Sequence, residues 1–148
     1  MTSIVLTNHS DWQAAREGRL PDTQVRSIRT EGLVDTGATL LALPAEVVRR
    51  LGLVPAGMRR VRYANGRVAE IPWVAGVHIE ILGRETVCNA FVEAEGTTPL
   101  IGQVPLEELD LIVDPKTREL RANPASPDAP LLDLLSADHQ SRPLTPAM

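Results

Sequence analysis

At 148 residues, with 43% hydrophobic, 23% charged and 3% aromatic residues, the chain has the length of one domain and an apolar content that excludes wholesale disorder. Its 15 basic residues (all arginine except Lys116) against 19 acidic ones give −4, and this balance with so few aromatics excludes nucleic acid as an expected partner. The single cysteine, Cys88, excludes an internal disulfide and a cysteine-built zinc site, and no run approaches the roughly 18 apolar residues of a membrane span. The expectation is a soluble protein of the reducing cytoplasm, with no membrane partner, no metal and no cofactor.

In chain order, residues 1–30 read as a polar lead-in with two strand candidates, Ile4–Thr7 and Gln24–Arg29. Residues 31–122 form the candidate domain, dense in short β-type runs punctuated by glycine. Gly32–Val34 is a buried strand that ends on Asp35-Thr36-Gly37, and Leu40–Leu43 is a second apolar run. Pro44 opens a short helix over Ala45–Leu51, with Glu46 in its first turn, Arg49 and Arg50 in its last and Gly52 just beyond. Val61–Ala64 and Arg67–Ile71 flank Asn65-Gly66, a strong hairpin signal whose two turn positions both require positive φ. Val74–Leu82 alternates, Gly83 turns the chain, and Glu85–Val92 returns. Pro99-Leu100-Ile101-Gly102 precedes Leu106–Leu109, one helical turn at most. Leu111–Val113 and Glu119–Arg121 make a last hairpin about Pro115. From 123 to 148 the chain becomes a proline-rich, extended or disordered tail, with leucine enough at Leu131–Leu135 for a turn or two of helix. Many short strands and few, brief helices indicate an all-β fold, a small barrel or sandwich.

Chemistry concentrates at Leu33-Val34-Asp35-Thr36-Gly37-Ala38-Thr39. A carboxylate directly after a buried strand is costly unless it is hydrogen-bonded or used. Thr36 adds a hydroxyl, and Gly37 lets the backbone come close to a ligand or partner. The plain alternative is a turn in which Asp35 bonds its own backbone.

This stretch resembles the retropepsin-like (retroviral-type) aspartic proteases, whose hallmark is two hydrophobic residues, Asp-Thr-Gly, then Ala and Thr or Ser. Two further landmarks follow in order. The Asn-Gly hairpin lies where that family carries its flap, and Leu100-Ile101-Gly102 matches its second hallmark of two hydrophobic residues and a glycine. The likeness spans about residues 31 to 115. It implies a small closed β-barrel, with Asp35 as the catalytic carboxylate and Thr36, Gly37, Ala38 and Thr39 as its supporting loop. It further implies that Thr36 bonds across a dimer axis, that Gly37 meets substrate backbone, and that Tyr63, Ala64, Asn65 and Gly66 form the flap over a peptide or protein substrate.

Peptide hydrolysis by carboxylates takes two Asp side chains sharing one proton. The sequence holds one Asp-Thr-Gly; Asp110 and Asp114 do not repeat it. The second carboxylate is therefore expected from a second copy, which makes a homodimer a requirement of the mechanism. Viral members weave chain ends into their dimer interface. The proline-rich end here departs from that pattern, so the interface is expected to be built differently. A reading from another class is a non-catalytic retropepsin-like module for peptide binding or oligomerisation.

Other residues carry plainer expectations. Tyr63 reads equally as an active-site shield or as cross-strand packing, and Trp73 as packing. His78 shares a strand face with Glu80 and is expected exposed, while His9 and His139 fall in polar segments expected to be mobile. Cys88 reads as a buried filler. Arg59, Arg60 and Arg62 read as a solvated face that could favour acidic substrate residues.

Overall fold

The computed structural model describes residues 1–134. Strands β1 (Thr2–Asn8), β2 (Ser27–Val34), β3 (Leu41–Pro44), β4 (Gly57–Arg62), β5 (Val68–Ile81), β6 (Arg84–Glu93) and β7 (Leu100–Ile101) form one sheet in the order β1-β2-β7-β3-β6-β5-β4. β5 also pairs with β1, joining Val5–Asn8 to Val77–Glu80. Six strands thus close into a barrel, and β4 remains outside the ring as one arm of a projecting hairpin. Of residues 1–30, Thr2–Asn8 of β1 and Ser27–Thr30 of β2 are built into this sheet. β2 is one continuous strand where the sequence suggested two, and Gln24 sits in the 3-10 turn before it.

Period-two alternation builds the core. Ile4 and Leu6 of β1 point inward with Leu41, Leu43, Val77, Ile79, Ile81 and Ile101, all at most 1% exposed. Burying each such side chain stabilises the fold by about 1.5–3 kcal/mol. Asn8, inward on the same alternation, donates from its side-chain amide to the Leu51 carbonyl at 2.8 Å. That bond ties β1 to the end of α2 (Ala45–Arg50), whose Val47 and Val48 cover the core. α3 (Gln103–Leu109) seals the other side with Pro105, Leu106 and Leu109. It runs seven residues, longer than the single turn expected, because Pro105 sits in its first turn, where no N–H is needed. A two-stranded sheet of β8 (Leu111–Val113) and β9 (Leu120–Ala122) completes the described fold.

Three expectations are corrected. The segment after β1 is a helix, α1 (His9–Arg16), capped by the Asn8 side chain, which accepts from the Asp11 N–H. α1 lies over the outer face of β5, where Trp12 meets His78 edge-on at 4.9 Å and stacks on His9. His78 does share the Glu80 face, but α1 covers that face and leaves His78 6% exposed. The hairpin turn at Asn65-Gly66 is also different in kind. Gly66 has φ +83° while Asn65 is not left-handed, and the Gly66 N–H donates to the Tyr63 carbonyl at 2.9 Å. The loop is a three-residue turn closed by a left-handed glycine. The two-residue turn with both φ positive falls instead at Leu82 (φ 52°) and Gly83 (φ 79°).

The start of the tail is docked. Asp110, left-handed at the end of α3, accepts from the Ser126 hydroxyl, from the Asn123 amide at 3.0 Å and from the Leu131 N–H at 3.0 Å. Buried Arg84 donates to the carbonyls of Leu109, Asp110 and Ser126. Leu131–Leu134 forms no helix; Leu135, His139 and the second proline-rich stretch lie outside the described residues.

Candidate active site

Asp35 stands where β2 ends. Its N–H donates to the Ile101 carbonyl at 3.0 Å, and its carbonyl accepts from the Ala38 N–H at 3.1 Å. Its Oδ1 accepts from the Gly37 N–H at 3.0 Å. This is the local turn that a short acidic side chain makes with its own backbone, and it leaves Oδ2 without a partner among the described residues.

The loop is fixed from behind. The N–H groups of Gln103 and Val104, at the start of α3, donate to the carbonyls of Ala38 and Thr39 at 2.8 and 2.9 Å. β7 runs parallel to β2 and antiparallel to β3, so it crosses between the two strands that carry the loop. A Cβ on Gly102 would lie 2.4 Å from the Leu40 carbonyl oxygen and 2.7 Å from that of Ala38. Only glycine allows this crossing. Leu100 faces the cleft, Ile101 fills the core and Gly102 touches the loop.

In front of the loop opens a cleft of about 530 Å³. Asp35, Gly37, Ala38 and Thr39 form its floor with Leu40 and Leu100, Arg60–Ala64 of the hairpin form one wall, and Phe91 and Glu93 of β6 the other. The hairpin is tied to β6 by the Tyr63 hydroxyl, which donates to Glu93 Oε1 at 3.2 Å. Burial, with the nearby Glu93 charge second, raises the Tyr63 pKa and keeps the phenol a donor. Tyr63 thus bonds across to β6 and also lines the cleft. Trp73 packs at the hairpin base beneath the Arg59 guanidinium, 4.2 Å from its ring.

Of the residues singled out in the sequence, the structure brings Asp35, Gly37, Ala38, Thr39, Tyr63, Ala64 and Leu100 together on the cleft. Asn65 and Gly66 stand at the hairpin turn, off the cleft lining, and Thr36 is exposed beside it. Phe91 and Glu93 were missed. Glu93 merely ends an alternating strand, and no local pattern announces that Tyr63, thirty residues earlier, reaches it. Asp110 is excluded as a second active carboxylate by its bonds to Ser126, Asn123 and Leu131, which hold its pKa down to about 2. Asp114 spends its Oδ1 on the N–H groups of its own turn. Among the described residues no group of three or more His, Cys, Asp or Glu side chains is placed to hold a metal ion. None of their helices is long and apolar enough to cross a membrane.

A closed β-barrel whose Asp-Thr-Gly loop is locked by a crossing glycine strand defines a domain of the retropepsin-like aspartic protease class. Residues 22–108 match the family described as "gag-polyprotein putative aspartyl protease", and the chain belongs to that family. A search of curated proteins found no match.

Proposed function

We propose that the protein is an aspartic endopeptidase that works as a homodimer, with one Asp35 from each subunit. The observation that carries this reading is the half-site itself. Each chain offers one Asp-Thr-Gly carboxylate on an open cleft, with Thr36 and Gly37 exposed beside it. Two such carboxylates roughly 3 Å apart cannot both ionise, so the pair shares one proton and titrates as a unit. The ionised Asp35 takes a proton from water as the oxygen attacks the scissile carbonyl, while the protonated Asp35 of the partner subunit donates to the carbonyl oxygen. The tetrahedral species collapses as a proton passes to the amine, and the C–N bond breaks. The projecting hairpin is read as a flap whose backbone pairs with an extended substrate. Cys88 is buried, with its pKa pushed up to about 12 by that burial, so its thiol takes no part in this chemistry.

The test is Asp35→Asn with a peptide library at pH 4 to 7. The variant is expected to lose at least about 10²–10⁴-fold in cleavage rate at equal or higher stability, since a like-charge pair is relieved. Wild-type cleavage is expected to be fastest below neutrality, because one proton must stay on the pair. Specific activity should fall on dilution through the dimer dissociation constant, and excess Asp35→Asn chains should poison the wild type. A monomer with undiminished turnover contradicts the mechanism. Peptide binding without cleavage at any pH supports the non-catalytic module instead.

A further inference from the structure

The cleft carries more charge than its aspartate. Arg60 and Arg62 of β4 line it, as does Glu93 of β6. Most described arginines are engaged elsewhere. Arg26 pairs with Asp11, Arg49 with Glu95 and Arg121 with Asp114. Arg59 and Arg67 lie over the rings of Trp73 and Tyr63, and Arg84 holds backbone carbonyls. Arg60 and Arg62 are exposed and make no ion pair, side-chain hydrogen bond or aromatic contact among the described residues. Glu70 stands opposite Arg60 in the β4–β5 ladder without pairing to it, and Arg62 stands opposite Val68. Glu93, the remaining acid of the cleft, already accepts from Tyr63.

We infer that Arg60 and Arg62 are specificity-determining residues that select extended peptides carrying Asp or Glu beside the cleaved bond. This rests on the endopeptidase reading of the same cleft. A guanidinium stays charged at every working pH and forks onto a carboxylate through two donors. Two residues apart on one strand, the arginines share a face and repeat at about 6.7 Å, twice the strand rise. Alternate side chains of an extended peptide repeat at the same distance, so one such peptide presents acidic groups to both. Its intervening apolar residues meet Val61, Phe91 and Leu100. The protein as a whole carries −4, so its long-range field does not gather acidic peptides. Selection is local and sensitive to salt.

Binding is measured on the Asp35→Asn chain, which keeps the arginines, by fluorescence anisotropy. The probes are a labelled Leu/Phe-rich octapeptide with two Glu at alternate positions, its Gln isostere and its Lys counterpart. The Glu peptide is expected to bind about threefold to fivefold tighter than the Gln peptide per engaged arginine, the range of exposed ion pairs, and high salt should erase the difference. Arg62→Ala should lose more than Arg60→Ala, because Glu70 faces Arg60. Arg60→Lys/Arg62→Lys should keep part of the preference and controls for folding, and Arg62→Glu should move it toward the Lys peptide. Equal binding of the three peptides, or binding of none, overturns the inference. A Glu preference in binding with no wild-type cleavage defeats the endopeptidase reading alone. Cleavage of Glu and Gln peptides at equal kcat/KM defeats the arginine assignment alone.

Discussion

A methyl group at Gly102 would press on two backbone carbonyls, those of Leu40 and Ala38, and the Ala38 oxygen is already held by the Gln103 N–H. Neither is the free end of a flexible side chain, so the strand or the loop must shift. Gly102→Ala is expected to cost about 3 kcal/mol or more, the upper range of overpacking, and to remove cleavage along with it. Urea denaturation measures the first and a peptide assay the second; near-wild-type stability would mean that the loop does not rest on this strand. The motif around Gly102 was legible in the sequence, and so was Asp35, because both are local strings with a local physical reason. Glu93 was not legible, since its role depends on Tyr63 arriving from another hairpin. His78 was half legible. Alternation gave its face correctly, but a face is exposed only if nothing lies over it, and Trp12 does.

α1 shows why an element can escape a periodicity search. None of its eight residues is fully buried, so no apolar stripe marks it. What marks it is polar: Asn8 as cap, Asp11 in the first turn and Arg16 in the last. The two hairpin turns of the long strands give the complementary lesson. Asn65-Gly66 has the composition of a turn with two positive φ values, yet Leu82-Gly83 adopts that turn, because strand register rather than turn composition fixes where the chain reverses. A left-handed Leu is strained by roughly 1–2 kcal/mol, and Leu82 is 57% exposed. Leu82→Asn is therefore expected to stabilise by about 0.5–1 kcal/mol, a rise in Tm of about 2–4 °C in a thermal melt. Gly66→Val works the opposite way. Nothing lies within 4 Å of the added Cβ, but φ is +83°, so the cost is backbone strain of about 1–2 kcal/mol. If the hairpin is the flap, kcat/KM should fall tenfold or more beyond what the small loss of Tm accounts for. Unchanged turnover in Gly66→Val would place the flap elsewhere.

Across the whole molecule, the proline-rich segment at residues 123–134 carries no helix or strand but conceals an anchor. Asp110 draws Ser126, Asn123 and Leu131 onto the end of α3, and its pKa of about 2 records those bonds, that from Ser126 first. A folded-state pKa below the unfolded value of about 3.9 means the stabilisation is present above about pH 4. It is lost as pH falls toward 2. Asp110→Asn, or truncation after Ala122, should lower stability at neutral pH and flatten its fall between pH 4 and 2, read by denaturation at stepped pH. An unchanged acid limb would show the anchor to be energetically idle. The ring itself imposes an order of events. β1 leaves the ribosome early, yet one of its two neighbours is β5, and the closing pairs reach Glu80. A nascent chain halted before that residue has emerged carries a hydrophobic strand with an open side and no barrel to join. The ring stays open until β7 has emerged between β2 and β3, so stalled chains ending before β7 should be cut readily by protease, and those with β7 and α3 fully emerged should resist. For this protein, folding during synthesis is thus expected to be a single event that follows the whole ring, timed by β7 rather than by the long strands before it.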